Sequence, residues 1–404
     1  MRKESHFSLD VTLEFMPVDD HCSRKSMSVE NNSQALYIHI PFCVKKCVYC
    51  DFNSIRIQSG MVEEYLGAVE YELRSRVKGY TFRTIFIGGG TPTVLHETQL
   101  ERLLHIISEY TDDSKPVEYS IEVNPGTLND RKREIVKRSH INRISLGIQT
   151  FHDIYLKMLE RIHTAERAKE TFFRLRESGF SNINIDLIYG YPGQTLGEWK
   201  SDLKELLRLE PDHISAYCLS YEEGTPLLRL IDSGILSRLP EEEELLMYEC
   251  LKDTLEQDGF LHYEISNYAR KGRECLHNIT YWKNREYVGI GAGAFSYLNG
   301  ERFCNIRDVK EYVSAVFSQS GLISFSEKLS RQRRASEILI MALRMTRGIS
   351  RKEFVERSGF DVMDLFGQQV NRLVQADLIT LEDKRVRLTP RGITLADSVM
   401  MEFV

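Results

Sequence analysis

The stretch "ALYIHIPFCVKKCVYCDF" (residues 35–52) joins a short β-rich run to a loop that carries three cysteines. The run "ALYIHI" (35–40) consists mostly of apolar and β-branched residues, which is typical of a strand in a buried sheet. Cys43, Cys47 and Cys50 follow it, separated by three residues and then by two. The sequence therefore predicts a strand whose end delivers three thiols to one loop.

The same pattern, a β-rich run followed by an amphipathic helix, recurs along the chain. The later runs are "TIFIGG" (84–89), "YSIEVNP" (119–125), "RISLGIQ" (143–149), "NINIDLIYG" (182–190) and "HISAYCLS" (213–220). The helical stretches are 61–77, 98–110, 129–139, 165–179, 196–210 and a sixth that opens at the acidic run 241–244. Six such units predict a parallel sheet, because parallel neighbours need crossover helices. We expect an α/β fold with an open, partial (β/α)6 barrel, and a doubly wound sheet is the alternative.

From residue 305 the pattern changes to helices, followed by a short strand pair and a closing helix. This order is typical of a winged-helix-like α+β domain. The net charge of −6 argues against a partner held by bulk charge, so we expect no nucleic-acid partner and a docking or lid role for this domain. The predicted divisions are a loosely ordered extension (1–33), the barrel with the segment after it (34–304) and the C-terminal domain (305–404).

Composition and cysteine usage indicate a globular protein of a reducing compartment. A hydrophobic fraction of 42% beside 28% charged residues predicts a sizeable core. No apolar run approaches the roughly 20 residues of a spanning helix, and residues 1–33 lack the apolar core of a secretory signal. Eight cysteines in 404 residues, three of them clustered, do not resemble a disulfide framework. We therefore expect a cytoplasmic protein.

Polar, glycine or thiol-bearing residues stand at the ends of all six predicted strands. In a parallel barrel these C-terminal ends meet at one face, where the ligand site lies. One carboxylate in an apolar strand is as readily a hydrogen-bonded structural group, and the glycines at 88–90 alone fit a tight turn. The whole set nevertheless predicts a site. Besides the cysteines it comprises 88–92, Glu122, Gln149, Asp186, Tyr217 and Cys218.

Three closely spaced thiols can be interpreted in three ways. A structural zinc site needs four closed ligands, and the nearby His39 lies on the strand. A disulfide leaves an odd cysteine and suits another compartment. An iron–sulfur cluster normally takes four thiolates, so three leave one iron open for a ligand. The spacing favours the cluster, with zinc as the alternative.

At the level of motifs the chain resembles the radical S-adenosylmethionine superfamily, whose signature is the spacing in "YIHIPFCVKKCVYCDF". It is similar in particular to the subfamily of oxygen-independent coproporphyrinogen dehydrogenase (HemN) and the heme chaperone HemW. The resemblance covers roughly residues 35 to 400. The other motifs that carry it are "GGGTPT", "IEVNPGTL", "SLGIQTF", "NIDLIYGYPGQT" and "EISNYAR…LHNITYW".

The resemblance implies a 4Fe–4S cluster on Cys43, Cys47 and Cys50, whose fourth iron would bind S-adenosyl-L-methionine. Glu122 would pair with the ammonium group of this cofactor and Arg161 with its carboxylate. No catalytic residue is assigned beyond the cluster. The cofactor-binding residues implied are Tyr37, Tyr49, Gly89, Gly90, Thr91, Glu122, Gln149, Arg161 and Asp186.

Two features of the sequence resemble the chaperone branch rather than the dehydrogenase branch. Phe52 stands where the dehydrogenase has a further cysteine, and "HNITYW" (277–282) matches the HNxxYW motif of the chaperones. His277 would ligate heme iron, with Tyr281 and Trp282 against the macrocycle. The alternative is a hydrogen-bonded turn followed by core aromatics.

The resemblance therefore implies a HemW-type chaperone that binds heme and hands it to acceptor proteins, among them membrane respiratory proteins. The alternative is the dehydrogenase, an oxidoreductase of porphyrin biosynthesis that decarboxylates coproporphyrinogen III. Whether the chain is an enzyme stays open at this point. The sequence does not indicate an electron donor or an oligomeric state.

Overall fold

The computed structural model describes residues 33–58, 60–111 and 114–404. The predicted extension over 1–33 lies outside these ranges apart from Ser33, which begins the first strand, β1 (Ser33–Ile40). Two short strands follow, β2 (Phe42–Cys43) and β3 (Ile55–Arg56), which pair in parallel. They enclose the cysteine loop, so the loop leaves the end of β1 as predicted.

Six parallel strands form the centre of the structure and confirm the predicted barrel strands. They lie side by side in the order in which they occur in the chain, each parallel to the next. After β1 they are β4 (Thr81–Gly89), β5 (Glu118–Val123), β6 (Arg143–Gln149), β7 (Ile183–Tyr189) and β8 (His213–Cys218).

Helices connect these strands, as parallel neighbours require. They are α1 (Met61–Arg76), α2 (Glu97–Thr111), α3 (Asp130–Arg138), α4 (Asp153–Met158), α5 (Ala165–Glu177), α6 (Leu196–Arg208), α7 (Pro226–Asp232) and α8 (Glu241–Gln257). Their starts are visible in the sequence: Thr195 and Glu198 form a capping box at α6, for example. The sequence did not predict α4 and α7, which are too short for a clear period.

Side chains alternate between two environments along each central strand. On β6, Ile144, Leu146 and Ile148 are fully buried against the helices, whereas Arg143 and Gln149 line the interior of the barrel. The helix-facing residues belong to one large hydrophobic cluster. The barrel interior is therefore free to carry polar groups.

The sheet extends beyond the six strands on both sides to twelve strands. On the β8 side lie β9 (Leu261–Glu264) and β10 (Asn267–Ala269), both antiparallel. On the β1 side β11 (Tyr287–Ile290) pairs in parallel, and β12 (Phe295–Leu298), β13 (Glu301–Asn305) and β14 (Ile323–Lys328) continue the sheet. Two helices, α9 (Leu276–Trp282) and α10 (Val309–Ser318), accompany them. The domain boundary between 304 and 305 stays a prediction.

The C-terminal part has the predicted order of helices, a strand pair and a closing helix. Its helices are α11 (Arg331–Leu343), α12 (Arg351–Ser358), α13 (Val362–Gln375), α14 (Pro390–Thr394) and α15 (Ala396–Met401). Its strands are β15 (Ile349–Ser350), β16 (Ile379–Glu382) and β17 (Arg385–Leu388), in the order β15-β17-β16. It has a hydrophobic core of its own. Across the described ranges, no helix has both the length and the apolar content to cross a membrane.

Candidate functional site

One cavity of about 650 Å³ occupies the interior of the barrel, and the residues predicted from the strand ends line it, except Gly88 and Pro92. Its volume is typical of a small-molecule site. The structure brings together the three cysteines and all nine residues predicted to hold the cofactor. The members of this set, all of which line the cavity, are Tyr37, Cys43, Cys47, Tyr49, Cys50, Gly89, Gly90, Thr91, Glu122, Gln149, Arg161 and Asp186.

The cysteine loop is fixed at several points. Next to its first cysteine, the backbone N–H of Ile57 donates to the Cys43 carbonyl at 2.8 Å. Midway, Val48 donates to the Leu159 carbonyl and accepts from the N–H of Leu227 at 2.9 Å. The Val48 side chain is buried in an apolar cluster. The three thiols are therefore presented to the cavity by a loop whose backbone is held in place.

Polar groups surround the thiols. Arg161 donates from Nη1 to the sulfur of Cys47 at 3.5 Å. Thr91 Oγ1 lies 3.8 Å from the sulfur of Cys43. Burial is the main cause that raises the pKa of the Cys43 and Cys50 thiols. Hydrogen bonds to ligating sulfurs are a regular feature of iron–sulfur sites, so these surroundings fit a cluster.

The glycines after β4 allow a close approach between two loops. A Cβ on Gly90 would lie 2.6 Å from the carbonyl oxygen of Phe42 and 3.0 Å from the sulfur of Cys43. The N–H of Gly90 donates to the Ile40 carbonyl at 2.8 Å. Gly89 has a φ of 116°, which other residues rarely adopt. The glycines thus pack the end of β4 directly against the cysteine loop.

Two carboxylates lie inside the cavity. Glu122 accepts the N–H of Gly89 at 3.0 Å, and Asp186 accepts from Ser145 at 3.1 Å and from Asn184 at 2.7 Å. Burial, and next the charge of Asp186, raise the pKa of Glu122 to about 8. Burial also raises the pKa of Asp186. Two partly buried acids at one end of a cavity favour a cationic ligand.

A guanidinium and a strained residue complete this end of the cavity. Arg161 donates from Nη2 to the Gly147 carbonyl at 2.9 Å, and its Nε is buried without a partner among the residues described. Gln149 has a φ of 73°, which is unusual for a non-glycine residue and typical of functional sites. Tyr191 holds it by donating to its carbonyl at 3.1 Å. Asp202 holds the next two residues of that turn.

Helix α9, which contains the HNxxYW motif, closes the other end of the barrel. His277 is 1% exposed, and both of its ring nitrogens have partners. Thr84 lies 2.9 Å from Nδ1 and the hydroxyl of Tyr281 lies 2.8 Å from Nε2. Burial, with the charge of Arg143, lowers the pKa of His277 to about 3. His277 and Tyr281 therefore line the cavity as a neutral, hydrogen-bonded pair.

Both ends of α9 are held by charged residues. At its start, Glu118 accepts the N–H of Leu276 at 2.7 Å and that of His277 at 3.0 Å. At its end, Arg344 of the C-terminal domain lies 4.5 Å over the ring of Trp282. Glu337 of α11 accepts from Asn284 at 3.0 Å. Trp282 thus faces the C-terminal domain, and heme contact by this residue stays a prediction.

Sequence reasoning missed the polar residues that lie deeper in the barrel, towards the end that α9 closes. Arg143 and Ser145 precede Gln149 on the same face of β6 and line the cavity, as does Asn184, two residues before Asp186 on β7. The signal that points to them is the two-residue alternation of strands. Applied backwards from each predicted strand end, it identifies these interior positions.

The residues present fit the predicted cofactors. Three thiols share a fixed loop, which a cluster with three protein ligands needs. Within the described ranges no group of three or more histidine, cysteine or acidic side chains is arranged to hold a single metal ion; in a cluster, each thiolate binds a different iron. The same cavity also offers partners for S-adenosylmethionine. Glu122 and Asp186 can bind its cationic groups, and the unpartnered Nε of Arg161 can donate to its carboxylate.

Comparison with known proteins extends these observations. The family model described as "Radical SAM superfamily" matches residues 37–206 and that described as "HemN C-terminal domain" matches 329–395. A heme chaperone HemW of Bacillus subtilis is 38% identical, over 92% of this chain and 99% of the relative. The HemW of Lactococcus lactis is 38% identical, over 91% and 96%. The solved structure of HemN from Escherichia coli, titled a coproporphyrinogen III oxidase and radical SAM enzyme, superimposes with a TM-score of 0.82 at 25% identity, over 92% of this chain and 90% of that one.

Proposed function

Because the chain belongs to the radical SAM superfamily and, within it, to the family of the heme chaperone HemW, we propose that it binds heme and transfers it to acceptor proteins. The observation that carries this proposal is the 38% identity over 99% of a curated heme chaperone. Phe52, in place of a further cysteine, supports it. The likeness to HemN, at a TM-score of 0.82, favours coproporphyrinogen oxidation as the second candidate.

We propose further that Cys43, Cys47 and Cys50 hold a 4Fe–4S cluster, and that S-adenosylmethionine binds its fourth iron. When bound, this pair supplies one-electron chemistry at the sulfonium group. The chain itself positions the cofactor: Glu122 pairs with the ammonium and Arg161 with the carboxylate.

Heme contact is proposed for α9, through His277, Tyr281 and Trp282. Ligation of heme iron by Nε2 of His277 requires that its hydrogen bond with Tyr281 opens. Thr84 at Nδ1 would then fix the orientation of the ring, as partners of metal-bound histidines do. The low pKa of His277 keeps the imidazole neutral and able to bind a metal.

The affinity for S-adenosylmethionine should rise with pH between 6 and 7. Glu122, with a pKa of about 8, is protonated in this range in the free protein. The ligand's ammonium needs its ionised form, so binding must release a proton. We expect the association constant to increase up to about tenfold per pH unit. Calorimetric titration of the cluster-loaded protein with S-adenosylmethionine at several pH values measures this association constant.

Glu122→Gln serves as the control for this pH dependence. Its affinity should be lower and nearly constant from pH 6 to 7, because no carboxylate titrates at that position. A wild-type affinity that is flat or falls with rising pH over this range contradicts the assigned partner of the ammonium group.

S-adenosylmethionine and heme should weaken each other's binding. The ring of Tyr37, a proposed cofactor contact, lies 6.5 Å from the ring of His277, a proposed heme contact, and both line the single barrel cavity. We expect saturating S-adenosylmethionine to raise the Kd for hemin about tenfold, and the converse by linkage. Hemin titrations with and without the cofactor measure this. An unchanged Kd with bound cofactor contradicts a shared cavity.

Two assays decide between the proposed functions. For a chaperone, hemin titration gives a shifted Soret band, and the loaded protein passes heme to an apo-hemoprotein. For a dehydrogenase, the anaerobic, reduced, cluster-loaded protein, supplied with S-adenosylmethionine and an electron acceptor, converts coproporphyrinogen III into protoporphyrinogen with release of two CO2. We expect the first result and no turnover in the second. Turnover, or the lack of any Soret shift, contradicts the chaperone proposal.

A further inference from the structure

Arg143 is a buried arginine in the part of the barrel cavity that lies away from the cysteine loop. It is the first residue of β6, whereas Gln149 at the cluster end is the last. The six residue-to-residue steps from Arg143 to Gln149 span roughly 20 Å along the strand. Its side chain is 2% exposed and lines the cavity. A charged group thus lies deep in the barrel, near α9.

The guanidinium of Arg143 has donors available for a ligand. Over the part of the chain that the structure describes, it donates no hydrogen bond, and its Nε is buried without a partner. The neighbouring acids are engaged elsewhere: Glu118 accepts the first N–H groups of α9, and Asp186 accepts from Ser145 and Asn184. Unpaired buried donors cost free energy, which a bound acceptor would recover.

The guanidinium also keeps its charge. Burial lowers the pKa of Arg143, but the acidic groups around it, the Cys275 thiol and the Glu118 carboxylate foremost, raise the pKa overall. A permanently charged planar fork in a closed site binds carboxylates in a bidentate manner.

We propose that Arg143 binds a carboxylate, and that this carboxylate is a propionate of heme lying against His277 and Tyr281. The inference rests on the heme binding proposed above. The charge of Arg143 contributes to the lowered pKa of His277, which places the two side chains within electrostatic reach. A macrocycle against α9 would carry its propionates, the anionic groups of heme, into this neighbourhood.

The second guanidinium that lines the cavity, that of Arg161, lies at the other end. Arg161 donates to the sulfur of Cys47 and to the Gly147 carbonyl, at the cluster end. Its unpartnered Nε serves the carboxylate of S-adenosylmethionine in our proposal. The two arginines therefore assign the two carboxylate-bearing ligands to opposite ends of one cavity.

The test compares hemin with hemin dimethyl ester, whose propionates carry no charge. Wild-type protein should bind hemin about 10- to 100-fold more tightly than the ester. This ratio corresponds to the usual free energy of a charge-assisted hydrogen bond. Arg143→Gln should remove this preference by weakening hemin binding and leaving ester binding unchanged. Arg143→Lys should give an intermediate preference. Arg273→Gln is the matched control, since Arg273 precedes α9 but lines another cavity.

The possible outcomes separate failure of the Arg143 assignment from failure of the chaperone proposal. Equal wild-type affinities for hemin and its ester overturn the inference and leave the chaperone proposal intact, whereas no hemin binding at all overturns the chaperone proposal. Loss of S-adenosylmethionine binding in Arg143→Gln, with hemin binding unchanged, assigns Arg143 to the other carboxylate and overturns the inference. If Arg143→Gln does not fold, equal wild-type affinities for the two ligands still overturn the inference, and a reduced preference for hemin in Arg143→Lys supports it.

Discussion

Replacing Cys47 by serine should abolish the iron–sulfur cluster. Anaerobically reconstituted wild-type protein should contain about four irons and four sulfides per chain, and Cys47→Ser should contain fewer than about one of each. The reason is that each thiolate binds one iron, so two cysteines leave half of the cluster without a protein ligand. Iron and sulfide analysis, with the visible absorption of the cluster, measures the effect.

Cys250→Ser is the matched control, because Cys250 lies half-buried on α8 and does not line the barrel cavity. It should keep the full iron content. A Cys47→Ser protein that retains a full cluster contradicts the assignment of the loop. A wild-type protein that contains zinc and no sulfide supports a structural zinc site.

Replacing Glu118 by alanine should destabilise the protein by about 3 to 5 kcal/mol. The carboxylate accepts the N–H groups of Leu276 and His277 and the thiol of Cys275 at 3.5 Å. Its removal leaves these buried donors unpaired and takes a counter-charge from Arg143. Urea denaturation gives the loss in the free energy of unfolding. Amide hydrogen exchange over 276–282 should increase most, because α9 loses its anchor.

An exposed acid provides the control for this substitution. Glu166→Ala, in the first turn of α5, should change the free energy of unfolding by less than about 0.5 kcal/mol. Glu118→Gln keeps one carbonyl acceptor and should lie between wild type and Glu118→Ala. A loss below about 1 kcal/mol in Glu118→Ala would show that α9 does not depend on this buried carboxylate.

The sequence was sufficient for the barrel because each barrel strand carries its own signal. The β-rich runs are flanked by helices with a clear period, so the units can be recognised locally. β11 could not be recognised in this way, since it is four residues long and pairs with β1, far back in the chain. Pairing of this kind depends on tertiary contacts.

The residues at the cluster end of the cavity could be predicted from the sequence, whereas those at the end closed by α9 could not. Strand-end reasoning locates Glu122, Gln149 and Asp186, because the C-terminal ends of parallel strands meet. Arg143 lies at the opposite end of its strand, where no general rule expects a ligand. The HNxxYW motif of α9 predicts heme contact, which stays a prediction; only the contacts of α9 with Glu118 and Thr84 reveal that this helix also closes the barrel.

The C-terminal domain contacts the end of α9 through three groups. Arg344 stacks on Trp282, Glu337 accepts from Asn284, and Arg357 donates to the Lys283 carbonyl. Positive charges at the end of a helix are favourable. These contacts give the domain a role in holding the closed end of the cavity. The docking or lid role expected from the sequence stays a prediction.

The central claim is that three thiolates leave one iron of the cluster to S-adenosylmethionine. Mössbauer spectroscopy of protein reconstituted with iron-57 tests it most directly. We predict that the added cofactor changes the isomer shift of one iron site and leaves the other three unchanged. Four iron sites that stay unchanged while the cofactor is bound would contradict the claim, as would a fourth protein ligand on the cluster.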